Sequence, residues 1–261
     1  MLPSKGFEHI LYEKRDNSAW IILNRPEKLN ALHSTTWREI VEAIKMAEDD
    51  KDVYVIVLTG KGRAFSAGDD ISELEKLREP STTSEYFFML TDKILKILQC
   101  KKPIIAAVNG LAYGGGCELV ELADLVIAVE DARFCVPEGL IGAVPPIHVT
   151  VAPLIFGRKI ANEMVYTAEP IDAKKALEIG LVNRVVPKDK LEEAVTELIN
   201  KIKRISPSAI LTIKRISLRQ FINPDKLAVA MEDLLILAQT EDFKEGTHAF
   251  IEKRQPRWKG R

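Results

Sequence analysis

The run Leu111-Ala112-Tyr113-Gly114-Gly115-Gly116-Cys117-Glu118-Leu119 holds residue types that can do chemistry on an anion. Just before it, the apolar stretch Ile104 to Val108 reads as a buried strand, which turns into three glycines and then an apolar helix. Adjacent glycines at a helix start let the backbone approach a ligand with its N–H groups exposed. The helix dipole favours negative charge at that end. Such a place suits an anion that forms during a reaction, and Glu118, one turn into the helix, is positioned to exchange a proton with it. The same letters also describe a tight turn beside a close helix–strand contact, with Glu118 as a capping carboxylate. The run alone leaves both readings open.

A second segment repeats the arrangement. Val53 to Gly60 reads as a buried strand, followed by Lys61-Gly62-Arg63-Ala64-Phe65-Ser66-Ala67-Gly68-Asp69-Asp70-Ile71. Asp70 and Glu73 have the spacing of a helix N-cap and its capping-box partner. Two such turns can each aim one backbone N–H at a common point. Two donors converging on one developing oxyanion stabilise an enolate or a tetrahedral intermediate, at about 3–4 kcal/mol per donor.

The elements that must position these turns alternate between strand and helix in the first half. Ile10 to Tyr12 and Ala19 to Leu23 read as a hairpin. Ser34 to Asp49 carries a helical period with Ser34 as its cap, and Tyr86 to Leu98 is a second amphipathic helix. Strands Leu125 to Val129 and Ala132 to Val136 follow the glycine-headed helix. Beyond about Pro187 strand signals vanish, and helices are predicted over Leu191 to Ile205, Ser208 to Gln220, Pro224 to Gln239 and Asp242 to Lys253. An αβ core over residues 1–190 with a helical module over 191–261 accounts for this shift. No internal sequence repeat is visible.

Composition narrows the class. The chain has 261 residues, 46% of them apolar and 29% charged, which is the balance of a globular protein with a substantial core. A formal net charge of −1 gives no overall pull toward nucleic acid or an anionic membrane. No apolar run reaches the roughly 20 residues that span a bilayer. Met1 to Gly6 lacks the apolar core of a signal peptide, so a cytoplasmic location is expected. Cys100, Cys117 and Cys135 are odd in number and unaccompanied by ligand-spaced histidines. They read as packing residues, and no metal site is predicted.

Taken in order, several segments resemble the crotonase (enoyl-CoA hydratase/isomerase) superfamily. They are Leu23-Asn24-Arg25-Pro26 with Leu29-Asn30-Ala31-Leu32, Phe65 to Ile71, Pro103 to Gly110 running into Gly114 to Leu119, and Phe134-Cys135-Val136-Pro137-Glu138. Thr240 to Gly246 with Ala249 to Arg254 completes the set. The resemblance spans nearly the whole chain and is nearest to the enoyl-CoA hydratases. It implies an α/β fold, a spiral of ββα turns with a C-terminal helical module that builds a homotrimer or a hexamer as a dimer of trimers.

Carried over residue by residue, the resemblance makes the N–H groups of Asp69 and Gly115 the oxyanion donors. Glu118 and Glu138 match the two catalytic glutamates. It assigns Glu118 as the base toward water and Glu138 as the proton donor to the α carbon of a trans-2-enoyl thioester. Two carboxyls in one apolar pocket suit that task because burial and repulsion split their protonation states. Arg25, Leu29, Ala31, Ala67, Asp70 and Ile71 are placed along the coenzyme A channel, with Lys253 as a phosphate contact. Coenzyme A is then part of the substrate, and no further cofactor is implied.

Two departures stand out. The family needs only an amide at position 69, so the Asp69 carboxylate either points away from the thioester, the preferred expectation, or recognises a polar acyl group. After Glu138, relatives usually read proline, glycine, any residue, two glycines and threonine, where this chain has Pro145-Pro146-Ile147-His148-Val149-Thr150. Pro146 and His148 are therefore expected either to reshape the acyl end of the pocket or to weaken hydration altogether, with His148 either structural or an extra titrating group. Glu121, on the Glu118 face of its helix, reads as a structural, salt-bridged carboxylate. The expected reaction is reversible hydration of a trans-2-enoyl-CoA to a 3-hydroxyacyl-CoA. Isomerase, decarboxylase and thioester hydrolase chemistries share the scaffold, and some superfamily members bind RNA or serve as structural partners.

Overall fold

A computed structural model describes residues 6–77, 79–221 and 223–260, so the reading of Met1 to Lys5 falls outside the described residues. The chain opens with β1 (Ile10–Arg15), β2 (Ser18–Leu23), α1 (Ser34–Asp49), β3 (Val55–Gly60) and β4 (Ala64–Ser66). Next come α2 (Ile71–Leu74), α3 (Pro80–Leu98), β5 (Ile104–Val108), β6 (Leu111–Tyr113), α4 (Gly115–Leu122), β7 (Leu125–Val129) and β8 (Arg133–Cys135). The second half runs α5 (Pro146–Phe156), α6 (Arg158–Thr167), β9 (Ile171–Asp172), α7 (Ala173–Glu178) and β10 (Arg184–Val186), then α8 (Leu191–Ile202), α9 (Pro207–Phe221), α10 (Pro224–Leu237) and α11 (Glu241–Glu252).

Six strands form one sheet in the order β1-β2-β3-β5-β7-β10, and four form a smaller one in the order β4-β6-β8-β9. Pairing in the large sheet is parallel from β2 to β10, with β1 antiparallel at the edge. Buried on both faces, its central strands are nearly continuous in apolar residues, as in Ile104-Ile105-Ala106-Ala107-Val108. The small sheet pairs β4, β6 and β8 in parallel.

The two sheets together make a spiral. Each turn sends one strand through the large sheet and the next through the small one: β3 to β4, β5 to β6, β7 to β8. Three adjacent parallel strands, roughly 4.8 Å apart, therefore end side by side. Their ends lead into Gly68-Asp69, Gly114-Gly115 and Pro137-Glu138. This repeat was invisible in the sequence because only its backbone geometry recurs.

Several local expectations need correction. Helix α1 is capped by His33, whose ring accepts the Thr35 N–H at 3.2 Å, and not by Ser34. Asp70 does cap α2, yet Glu73 does not reciprocate. Its carboxylate instead accepts the Ser34 N–H at 2.8 Å and ties α2 to the start of α1. Helix α3 begins six residues before Tyr86, because Pro80 at its first position needs no hydrogen-bond acceptor. Helices α5, α6 and α7 and the short strands β4, β6, β9 and β10 had not been anticipated. At the C-terminus the four expected helices are all present. Leu227, Met231 and Leu234 of α10 are buried, and α10 packs on α3 and α5, while α11 packs on α2 and on the 3-10 turn Glu138–Ile141.

Candidate active site

The β4 and β6 ends meet through glycine. Gly68 has φ +92°, and a Cβ placed on it would lie 3.2 Å from both Gly114 Cα and Gly115 N, so only a bare backbone permits the approach. A Cβ on Gly115 would stand 2.7 Å from Asp69 Oδ2. The Leu32 N–H donates to Gly68 O and the Asp70 N–H to Leu32 O, which fixes the first turn. Among the described residues, neither the Asp69 N–H nor the Gly115 N–H donates to a carbonyl. Asp69 and Gly114 line one cavity with the Gly115 N–H next to them in sequence, and the Asp69 N–H also reaches its own carboxyl.

That cavity measures about 150 Å³. Asp69, Gly68, Gly114, Glu118, Glu138, Ala67 and Ile71 line it together with an apolar wall from α3, the 138–146 segment and the C-terminal helices. Glu118 and Glu138 are both enclosed. Glu118 Oε1 accepts the N–H groups of Ile147 and His148 at 2.8 and 3.0 Å. These are buried first-turn donors of α5 with no intrahelical acceptor, and its own cap, Pro145, offers no side-chain acceptor. Glu118 is thus a capping carboxylate, but for α5 rather than for the helix that bears it. Burial pushes Glu118 up to about 8; the His148 N–H opposes the rise, and the Glu121 and Asp69 charges add to it. Glu138 Oε1 lies 3.0 Å from where a Cβ on Gly114 would stand, and neither carboxyl oxygen has a partner among the described residues. Burial, then the Glu118 charge, raises it well above the usual carboxylate range. Glu118, with its two donors, is the carboxyl better able to carry charge, and Glu138 the one held protonated.

The Asp69 carboxylate is held inside the protein, with Oδ1 accepting the Trp37 indole N–H at 2.9 Å and Oδ2 beside Gly115, and residue 69 lines the cavity. Burial raises it to about 6, against the pull of the Trp37 hydrogen bond. The contact with Trp37 was not foreseen, since 32 residues separate the two in sequence.

The loop departure resolves into helix α5. Pro146 sits at its first position and lines the cavity. His148 does not. Its ring is fully buried behind the wall, with Nδ1 at 2.6 Å from Glu121 Oε1 and Nε2 at 3.0 Å from Ala161 O. Both ring nitrogens face acceptors, so the geometry suits an imidazolium paired with the Glu121 carboxylate. Burial works against the charged ring, but the Glu121 charge and hydrogen bond outweigh it and raise its pKa. His148 therefore joins α5 to α4 and leaves the acyl surface, and Glu121 is the structural carboxylate expected.

Along the expected coenzyme A channel, Arg25 donates to Ala31 O at 2.8 Å and to Asp70 Oδ2 at 2.9 Å, and the Ala67 N–H donates to Leu29 O at 2.9 Å. Arg25, Leu29, Ala31, Ala67, Asp70 and Ile71 are thus one cluster leading to the cavity. Lys253 ends α11 with φ +55° and is exposed, outside the cavity lining. Sequence reasoning also missed Trp37, Leu234, Phe243 and Phe250 as lining residues. The aromatic pair on α11 had carried only a helical period.

A protein-family model described as enoyl-CoA hydratase/isomerase matches residues 13–261. The chain belongs to the enoyl-CoA hydratase/isomerase family. It is 39% identical to the mitochondrial enoyl-CoA hydratase of Pongo abelii over 97% of this chain and 89% of that protein. To the short-chain-enoyl-CoA hydratase of Clostridium acetobutylicum it is 37% identical, covering 95% of this chain and 96% of the relative. Among solved structures, an enoyl-CoA hydratase/isomerase from Xanthobacter autotrophicus Py2 superposes with a TM-score of 0.87 at 33% identity, covering 98% of this chain and all of that one. The mixed α/β spiral of this family member is therefore the crotonase fold.

Proposed function

We propose that the protein catalyses reversible syn addition of water to a trans-2-enoyl-CoA, giving a 3-hydroxyacyl-CoA. The observation that carries this reading is the pair of enclosed carboxyls, Glu118 and Glu138, on one cavity that the Gly68-Asp69 and Gly114 turns also line. The thioester oxygen accepts from the Asp69 and Gly115 amides. Water attacks C3 while Glu118 takes its proton, the negative charge gathers on the thioester oxygen, and the Glu138 proton moves to C2. The water's other hydrogen stays in the new hydroxyl, and transfer of a proton from Glu118 to Glu138 resets the pair. Water elimination runs the same steps backwards.

A cavity of about 150 Å³ matches the size at which an apolar protein cavity takes up benzene, which points to an acyl group of about six carbons or fewer. The Arg25 cluster is the route for the pantetheine arm, with Lys253 toward the phosphates. Leu211, Ile213 and Ile216 on α9 with Val229 and Ile236 on α10 stay exposed, an apolar surface consistent with a homotrimer or a dimer of trimers. The same reading includes a cytoplasmic protein; among the described residues no helix is long and apolar enough to cross a membrane. Incubation with crotonyl-CoA, followed by loss of the conjugated enoyl absorbance and mass spectrometry of the product, tests the reaction. A product heavier by one water supports it. Release of free coenzyme A, loss of carbon dioxide from a carboxylated acyl-CoA, or double-bond migration without gain of mass would move the assignment to the hydrolase, decarboxylase or isomerase branches.

A further inference from the structure

We propose that Asp69 and Tyr86 form a polar subsite that selects 2-enoyl-CoA substrates bearing a neutral hydroxyl group on the acyl chain. The proposal rests on the hydratase reading and adds the substrate class. Apart from its acids, the cavity wall is apolar: Ile71, Leu74, Phe87, Leu90 and Ile94. Within that wall the Tyr86 hydroxyl is fully enclosed and has no hydrogen-bond partner among the described residues. A buried hydroxyl without a partner costs free energy that phenylalanine at the same place would avoid. Of the carboxylates around the phenol, Asp69 acts on it most strongly. Asp69 in turn has Oδ1 committed to the Trp37 N–H and its carboxyl also accepts from its own N–H, while Oδ2 rests against Gly115 with lone pairs to spare. The oxyanion turn uses only the backbone of residue 69, so its side chain is available for another task.

One ligand group answers both side chains. A hydroxyl donates to the Asp69 carboxylate and accepts from the Tyr86 O–H. A methylene in its place leaves the phenol unpaired and leaves the Asp69 charge facing the developing enolate. A second carboxylate adds like charge beside the Asp69 carboxylate. Sites built to hydrogen-bond a substrate hydroxyl discriminate strongly against analogues lacking it, because the buried polar groups are then stranded.

The test uses the full chain with CoA thioesters of trans-2-hexenoic acid, its 4-, 5- and 6-hydroxy derivatives, and trans-2-hexenedioic acid. At least one hydroxy derivative should exceed hexenoyl-CoA in kcat/KM by about tenfold to a hundredfold, with the hexenedioyl thioester the poorest. Tyr86→Phe and Asp69→Asn should each bring that ratio toward one, and the Tyr86→Phe protein should melt no lower than the parent. Calorimetric binding of hexanoyl-CoA and the matching hydroxyhexanoyl-CoA gives the same comparison without turnover. Tighter binding of the hydroxy form that Tyr86→Phe abolishes supports the subsite even if no thioester is hydrated, which would instead sink the hydratase reading. Hydration of hexenoyl-CoA with no hydroxy derivative favoured in rate or binding overturns the subsite and leaves the hydratase reading standing.

Discussion

Replacing Glu118 by glutamine should abolish most of the hydration and at the same time make the protein more stable. The carboxyl ionises near 4.5 in an unfolded chain and at about 8 in the fold. At neutral pH the native state therefore holds a proton that the unfolded state has released. A group raised in this way contributes stability that is fully present below 4.5 and is lost as the pH rises toward about 8. Between pH 4.5 and pH 7 that loss amounts to roughly 3 kcal/mol. Glutamine cannot ionise, is the same size, and keeps an oxygen that can accept the Ile147 and His148 N–H groups. The Glu118→Gln protein should thus gain up to roughly 3 kcal/mol at pH 7, which for a domain of this size corresponds to about 6–12 °C in Tm. Its kcat for crotonyl-CoA should fall by about 10²–10⁴ through loss of the base. Scanning calorimetry of both proteins at pH 5, 7 and 8 measures the gap, which should widen with pH. A variant that melts at or below the parent at pH 7, or a gap that is the same at pH 5 as at pH 8, would refute the account of a charge held against burial for the sake of catalysis.

Three further outcomes follow from the same geometry. Gly115→Ala places a Cβ against Asp69 Oδ2 and displaces one oxyanion donor, so kcat should drop by about 10²–10³ with Glu118 intact; steady-state kinetics on crotonyl-CoA measures it, and near-parental turnover would remove Gly115 from the donor role. His148→Ala strands Glu121 inside the protein, and urea denaturation should show a loss of about 3–5 kcal/mol; a loss under about 1 kcal/mol would mean that the pair carries little. Because Glu118 must be ionised to take a proton from water, kcat/KM for hydration should climb with pH toward about 8; a profile flat from pH 5 to pH 9 would show that another group is the base.

The spiral's central strands were legible because burial on both faces forces unbroken apolar runs, and Val55–Gly60, Ile104–Val108 and Leu125–Val129 are just such runs. The C-terminal helices were legible because amphipathic periods write themselves into the letters. Strands of two or three residues, such as Ala64–Ser66 and Leu111–Tyr113, are too short to hold a period. Helix α5 escaped because nearly every residue in it is apolar, which erases the contrast between faces.

For the site, the letters determined the parts: two glycine turns after strands and two glutamates in recognisable surroundings. What they could not decide was direction. Only the side-by-side ends of β4, β6 and β8 make those turns converge, and only the packing of α5 on α4 turns Glu118 into a cap for a foreign helix while swinging the His148 ring behind the wall. The Asp69 carboxylate is fixed by Trp37, 32 residues away in sequence. Periodicity and spacing report local backbone, whereas the direction of a side chain is set by partners that the chain reaches only once it has folded.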